Sequence, residues 1–345
     1  MNYSCTIFGD LRVPYFELHG NVKRPYSGKE IICKPIFLKG EEESFEIPDF
    51  EVKSFKDRLV EAKRKEAESQ GRTLFDGPMV RLKDYSVDDE LHLLNLELQR
   101  TSFFTFTATN KSIDNPEVRR MVDERGPSYT NLNDGLANPI GVNVVLISEP
   151  DNAIVITKRS EKLAQYPGLY GVPAGFMNPD KDRLHFKEQD SPVKDSELGS
   201  VAYPEKFFYA PTITGEREVK EEMGVPIIES SAIELGRAGD DKHLEFSMVA
   251  KTPYTKEKIL SAPKTSKWET QQINIVPFEP KEVMKYLVET VKEEPKGVPK
   301  GTGVWIPGKS PAWVPAQWEA VKAHLISEFD FDEVWNAYEE TRRNH

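Results

Sequence analysis

Nine residues, REVKEEMGV from Arg217 to Val225, restrict this chain more than any other stretch. A helix places positions i, i+3 and i+4 on one face. Glu218, Glu221 and Glu222 have that spacing, so a helix here gathers three carboxylates side by side. Like charges so arranged repel, and an isolated helix gains nothing from them. A hard divalent cation offsets the repulsion, and Mg²⁺ prefers oxygen ligands. Val219 and Met223 fall off the acidic face and can anchor the helix to a core, while Gly224 is placed to end it. A solvated acidic edge is the plainer reading of the bare pattern in a chain with 30% charged residues.

Composition narrows what such a helix can serve. The 345 residues suffice for one large domain or two moderate ones. A net charge of -11 gives no basic face for a nucleic-acid backbone, so an anionic ligand needs local Arg and Lys or a metal. Two cysteines, Cys5 and Cys33, make a disulfide scaffold improbable and suit the reducing cytoplasm. The opening residues lack the pattern of a signal peptide, and no run is apolar for the ~18 residues of a membrane span. The expectation is a soluble cytoplasmic protein. The phosphate-loop pattern G-x-x-x-x-G-K-[ST] does not occur.

Residues up to about 130 read as α+β. Leu94, Leu96 and Leu98 alternate with Asn95, Glu97 and Gln99, a strand with one buried face. A helix is expected to start with Ser54 as its cap and to stop at Gly71. IGVNVVLIS and NAIVITKRS predict a hairpin around EPDN, whose Pro, Asp and Asn suit a turn. LYGVPAGFMN comes next, then an irregular polar stretch from Pro179 to about Glu205, then the acidic helix. Two helices near the end, QWEAVKAHLISEF and FDEVWNAYEETRR, accompany Trp305, Trp313, Trp318 and Trp335, which bury those helices or line a homodimer surface. The six histidines show no metal-ligand spacing, and His185 and His243 read as structural or surface residues.

Arg217, Glu218, an aliphatic, any residue, Glu221 and Glu222, any residue, Gly224 and an aliphatic resemble the second half of the Nudix box, G-x5-E-x7-R-E-U-x-E-E-x-G-U with U aliphatic. YGVPAGFMN, with Pro173, Ala174 and Gly175, resembles the strand and P-G-G turn upstream of it. Here 42 positions separate Gly175 from Arg217, 28 more than the family's 14. The family's first box glutamate would fall on Lys181, so that position is lost or supplied from the insertion, with Glu205 as one candidate. In order along the chain, TLFDGPMVRLKDY, LELQRTSFFTFTATN, LANPIGVNVVLI and TKRSEKLAQYPGLYGVPAGF resemble a Nudix branch that hydrolyses UDP-glucose and UDP-galactose. That branch also has an N-terminal domain and a long insertion in its box, and the resemblance runs from about residue 55 to about 280.

The fold so implied is an α/β class protein, a Nudix α/β/α sandwich with an additional N-terminal α+β domain. The expected division is 1–130 for the N-terminal domain and 131–345 for the Nudix domain, with an insertion at about 179–205 and a C-terminal helical extension. The activity implied is Mg²⁺-dependent cleavage of a nucleotide sugar to UMP and sugar 1-phosphate, with Mn²⁺ as the alternative metal. ADP-ribose, a dinucleotide or another nucleoside diphosphate derivative is the alternative substrate, and a non-catalytic nucleotide sensor the alternative class. By resemblance, Glu218, Glu221 and Glu222 hold the metal, Ala174 lends its carbonyl, and Arg217 orients the acidic helix. Glu245, a Glu within an apolar strand, is a candidate added metal ligand or substrate contact, and Glu269 a candidate general base. Arg159 is the first choice for the diphosphate, because guanidinium offers a forked set of donors. Phe75 is a candidate to stack on the base, with Asp76 and Asn138 as polar contacts. The expected partner is a small nucleoside diphosphate derivative, with no nucleic acid and no membrane.

Overall fold

The computed structural model describes residues 6–9, 11–21, 23–35, 37–38, 41–69, 75–163, 166–185, 207–239, 241–266, 269–288 and 313–344. Glu205, Trp305 and most of the 179–205 insertion lie outside the described residues. The strands used below are β1 (Tyr15–Gly20), β2 (Ile31–Pro35), β3 (Pro78–Asp88), β4 (Leu93–Ser102), β5 (Ile140–Ser148) and β6 (Ala153–Arg159). They continue with β7 (Tyr170–Gly171), β8 (Arg183–His185), β9 (Phe207–Tyr209), β10 (Glu229–Ala238), β11 (Leu244–Thr252) and β12 (Thr270–Pro277). The helices are α1 (Phe50–Ser69), α2 (Phe103–Ala108), α3 (Pro116–Arg125), α4 (Pro211–Met223), α5 (Lys256–Ser261), α6 (Pro280–Leu287), α7 (Pro315–Phe329) and α8 (Phe331–Asn344).

The chain forms two compact units. One comprises the described residues of Met1–Pro25, Gly141–Gly175 and Gly215–His345, and the other those of Tyr26–Ile140 and Phe176–Thr214. The anticipated division at residue 130 is linear, whereas these units interleave along the sequence. The reason at the N-terminus is pairing: β1 adds antiparallel to β10, with Tyr15 opposite Ala238.

In the first unit the sheet runs β7-β6-β5-β11-β10-β1, and β12 pairs with β6. All nine residues of β5 are buried, which is what a continuous apolar strand means when both faces are covered. One face receives α4. A Cβ on Gly215 of this helix would lie 3.0 Å from Val144 and 3.1 Å from Met248 of the sheet. The opposite face receives α7, where Trp318, Val321 and Leu325 join Val145, Ile147, Ile154 and Ile156 in the core. Trp313 and Trp318 are buried, and their indole N–H groups donate to the carbonyls of Tyr286 and Leu287. The layers are therefore α/β/α. The hairpin expected around EPDN is present, with Ile147 opposite Ile154.

The second unit holds a three-stranded sheet, β2-β4-β3, in which Leu94, Leu96 and Leu98 are buried as their alternation requires. Helix α1 starts earlier than its sequence suggests. The Asp49 carboxylate accepts from the amides of Glu51 and Val52 at 2.9 and 3.0 Å, capping the helix five residues ahead of Ser54. The insertion leaves and returns through a ribbon of β8 and β9, with Arg183 opposite Tyr209 and His185 opposite Phe207. Asp182 anchors the root of this ribbon, accepting from the Asn178 amide at 2.7 Å and the Thr214 hydroxyl at 2.9 Å. Among the described residues no helix is long and apolar enough to cross a membrane.

His324 of α7 stacks on Phe278 with ring centroids 4.9 Å apart. Burial, aided by Lys251, lowers its pKa to about 4. An imidazole kept neutral by the fold contributes stability above its unfolded pKa, near 6.5, and loses that contribution as pH falls through about 4. The loss is on the order of 3 kcal/mol. His324→Phe is expected to flatten the stability profile between pH 6.5 and 4, measured by urea unfolding. An unchanged acid limb in the variant would refute the assignment.

Candidate functional site

The carboxylates of Arg217–Val225 meet the turn at Pro173–Gly175 within the first unit. Helix α4 runs as expected. Val219 and Met223 are fully buried, and Gly224 takes φ +71° after its last turn. A side chain at Gly224 would also collide with the Pro263 carbonyl, its Cβ at 2.1 Å. Pro173 is fixed by its carbonyl, which accepts from the Val144 amide at 2.9 Å. The next two residues then address the helix. Ala174 donates its amide to Glu222 Oε1 at 3.1 Å. Gly175 presents a bare Cα to Glu218; a Cβ there would lie 2.0 Å from Glu218 Oε1.

Glu218 and Glu222 are 7% and 5% exposed, and Glu221 is half-buried. Arg217 Nη1 lies 2.5 Å from Glu218 and 3.8 Å from Glu221. The second oxygen of Glu222 accepts from the Thr270 hydroxyl at 3.3 Å. Thr270 had no sequence signal beyond its place beside Glu269. The loop ahead of it wraps the end of α4, with the amides of Thr265 and Ser266 both donating to the Glu221 carbonyl at 3.0 Å. Glu269 is pinned through its backbone, its amide to Ser266 and its carbonyl from Ser160. Its side chain is half-buried, and burial raises its pKa against the pull of Arg159.

Arg159 ends β6, where the register with β12 shifts between Lys158 and Arg159. Such a bulge re-aims a side chain. Burial works against the charge of Arg159, and Glu222 and Glu269 are the leading groups that sustain it. Two guanidinium groups thus face four carboxylates, of Glu218, Glu221, Glu222 and Glu269. The deficit is felt in the acids: burial pushes Glu218 up to about 7 and Glu222 to about 8 despite Arg217 and the Ala174 amide.

Glu245 is brought near Arg159 electrostatically but is held elsewhere by its own oxygens. His243 Nε2 bonds Glu245 Oε1 at 2.5 Å, and Asn143 donates to Oε2 at 3.1 Å. The carboxylate also rests on Gly141, whose Cβ would lie 2.4 Å from Oε2. His243 is buried with Asp241 at its other ring nitrogen. Burial disfavours its charge, but the two carboxylates outweigh that and hold its pKa well above normal. Asn143, Gly141 and His243 were not legible as partners, because an Asn and a Gly inside an apolar strand carry no sign of a cross-strand carboxylate.

Phe75 and Asn138 belong to the second unit. Phe75 is 75% exposed, as a stacking ring requires. Asp76 accepts from the Phe104 amide at 2.8 Å in the first turn of α2, whose N-cap is Ser102. Asn138 is fully buried at φ +42°, and its amide donates to the Leu132 carbonyl and to Asp134. Its side chain shapes the buried turn before β5 and has no exposed surface to offer a ligand.

A divalent metal can be tested against this donor set. Among the described residues no three His, Cys, Asp or Glu side chains converge as a finished ligand group. Arg217 instead supplies positive charge at Glu218, the place where a cation would act. The donors are all oxygens, two of them on carboxylates whose ionisation burial opposes, and added positive charge would restore it. The residues fit a hard cation.

No family model matches the chain. It is 27% identical over 168 residues to Nudix hydrolase 9 of Arabidopsis thaliana, covering 47% of this chain and 51% of that protein. It is 33% identical over 109 residues to the uridine diphosphate glucose pyrophosphatase NUDT22 of Mus musculus, covering 31% of this chain and 34% of that one. The chain thus spans about half and about a third of the length of these relatives. Among solved structures it is similar to the Bacillus subtilis pyrophosphohydrolase BsRppH, with TM-score 0.25, 15% identity, and 40% and 62% of the two chains covered. It is also similar to the NUDIX domain of Shewanella oneidensis NrtR complexed with ADP ribose, with TM-score 0.25, 14% identity, and 39% and 70% covered.

A carboxyl whose folded pKa is raised stabilises the fold fully below its unfolded pKa and loses that contribution as pH rises through the folded value. With a chelator present, stability should therefore fall between about pH 4.5 and 8. Glu222→Gln should make that fall shallower in thermal unfolding. Equal slopes in the two proteins would show that Glu222 is not buried in this environment.

Proposed function

We propose, for a chain that belongs to the Nudix hydrolase superfamily, that it cleaves the diphosphate linkage of a nucleotide sugar of the UDP-glucose or UDP-galactose type, giving UMP and sugar 1-phosphate. The observation that carries this reading is the complete carboxylate set of α4, seated on the Ala174–Gly175 turn beside Arg159 and Glu269. The sugar nucleotide rests on the likeness to the mouse UDP-glucose pyrophosphatase. The two-cysteine composition suits a cytoplasmic setting.

Glu218, Glu221, Glu222 and the Ala174 carbonyl would hold Mg²⁺ or Mn²⁺. Bound there, the ion would neutralise phosphate oxygens and polarise the phosphorus toward attack by water. The chain's own residues supply the rest. Arg159 binds the diphosphate through its forked donors, and its charge is already sustained by Glu222 and Glu269. Glu269 is the general base, since its raised pKa brings it closer to the working pH than an ordinary carboxylate. Arg217 pairs with Glu218 and Glu221 and keeps the acidic face in register. Glu245 acts on Arg159 from β11, two strands away across β5.

A panel of UDP-glucose, UDP-galactose, ADP-ribose and dinucleotides with Mg²⁺ tests the substrate, read out as UMP or AMP release. Rapid cleavage of ADP-ribose with none of the UDP-sugars would sink it. Glu222→Gln is expected to lower kcat at least 100-fold, and Arg159→Lys to raise KM more than it lowers kcat, because a point charge replaces a fork. Near-intact Mg²⁺-dependent turnover in Glu222→Gln would remove the metal assignment.

A further inference from the structure

Helix α5 stops abruptly. Pro263 follows Ala262, and a residue before proline avoids the helical region. Ala262 accordingly turns out to ψ 142°. A helix leaves the carbonyls of its last turn without helical partners. Here side chains answer them. The Ser261 hydroxyl donates to the carbonyls of Glu257 and Lys258 at 2.7 and 3.3 Å. Lys264 reaches back to those of Ile259 and Leu260 at 3.0 and 3.4 Å, and to that of Ala262 at 3.0 Å. An ammonium carries three donors, and three carbonyls converge on this one. Ile259 is fully buried, so the helix end that Lys264 grips is itself fixed.

The backbone on either side of Lys264 holds a different element. The Pro263 carbonyl lies against Gly224 at the end of α4, 2.1 Å from where a Cβ would stand. The amides of Thr265 and Ser266 both donate to the Glu221 carbonyl at 3.0 Å, and the Thr265 hydroxyl joins them at 3.2 Å. Residue 264 is therefore a crossing point, with its neighbours on α4 and its side chain on α5. The same stretch leads to Glu269. Ser266 gives its carbonyl to the Glu269 amide at 3.1 Å, and Glu269 gives its own to the Ser160 amide at 2.8 Å. Thr270 then stands opposite Arg159 in the β6–β12 register.

One carbonyl makes a pivot, not a clamp. Thr265 and Ser266 reach α4 through the single oxygen of Glu221, and a loop held at one point can turn about it. Lys264 supplies a second fixed point, on α5. Two points set the direction in which Ser266 presents its carbonyl, and with it the place of Glu269 ahead of β12.

We propose that Lys264 is a positioning residue for the hydrolysis: it staples the 262–266 loop to α5 and thereby holds Glu269 at the acidic end of α4. The catalytic half of this inference rests on the reading of Glu269 as general base, and the staple itself does not.

Lys264→Met keeps the stem and removes the donors, with Lys264→Gln as the second variant should the first fold poorly. Amide hydrogen exchange of the full chain, without metal or substrate, should be about tenfold faster at Thr265, Ser266 and Glu269, and within about twofold at Val144 in β5. With Mg²⁺ and whichever nucleoside diphosphate derivative the chain turns over, kcat should fall about tenfold while KM stays within about threefold. In a Glu269→Gln background the same substitution should cost less than about twofold, because its effect runs through Glu269. Unchanged exchange at Thr265 and Ser266 would overturn the staple. Faster exchange with kcat intact, or losses that multiply in the double variant, would overturn the positioning role. Should the unaltered chain cleave none of these compounds, the hydrolase reading and the positioning role both fail, and the exchange result still decides the staple.

Discussion

A carboxylate resting on a bare Cα organises the rest of the site. Glu218 is seated so close to Gly175 that no side chain fits between them, and its helical neighbour Glu222 takes the amide of the preceding Ala174. Two successive residues of one turn therefore meet two acids one helical turn apart. That contact joins stretches of sequence more than forty positions apart, and it fixes the height of α4 against the sheet. Gly215 makes the same demand on the buried side of the helix, where Val144 and Met248 approach it. An intruding methyl at either glycine would lift the helix and separate the acids from Arg159 and Glu269.

The insertion survives for a topological reason. Its two ends are zipped together by the β8–β9 ribbon, so the closure of the remaining segment costs little more as it lengthens. Asp182 ties the ribbon's root to Thr214 at the start of α4. The helix register is thus set by short contacts at its own ends.

Periodicity and local chemistry were readable in the residues. The acidic face of α4, its glycine stop and the EPDN hairpin all follow from patterns within a dozen positions. Features made by distant contacts were not readable. Arg159 reaches the acids because β6 slips against β12 by one residue, and nothing in TKRS announces a bulge. Asn138 looked like a polar contact for a ligand but is spent on a buried turn. Ser54 lost its cap to Asp49 because the helix begins where the sequence still permits either start. The interleaving of the units depends on where β1 pairs, and strand pairing is set by partners far along the chain.

The same sheet makes opposite demands on its two faces. Strand β11 sends Phe246 and Met248 toward one side and Glu245, Ser247 and Val249 toward the other. On the α4 side the strand meets Gly215 and remains apolar, so charge is confined to the rim where Ala174 and the helix meet. On the α7 side polar residues enter the interior, and each needs a partner that the strand itself does not provide. His243 and Asn143 meet that need for Glu245. Farther along, Glu234 has Tyr15 of the adjoining strand β1 beside it, and Lys322 pairs with Glu319. The burial that makes the central strands a rigid platform for α4 thereby requires a polar partner behind them for each acid it encloses.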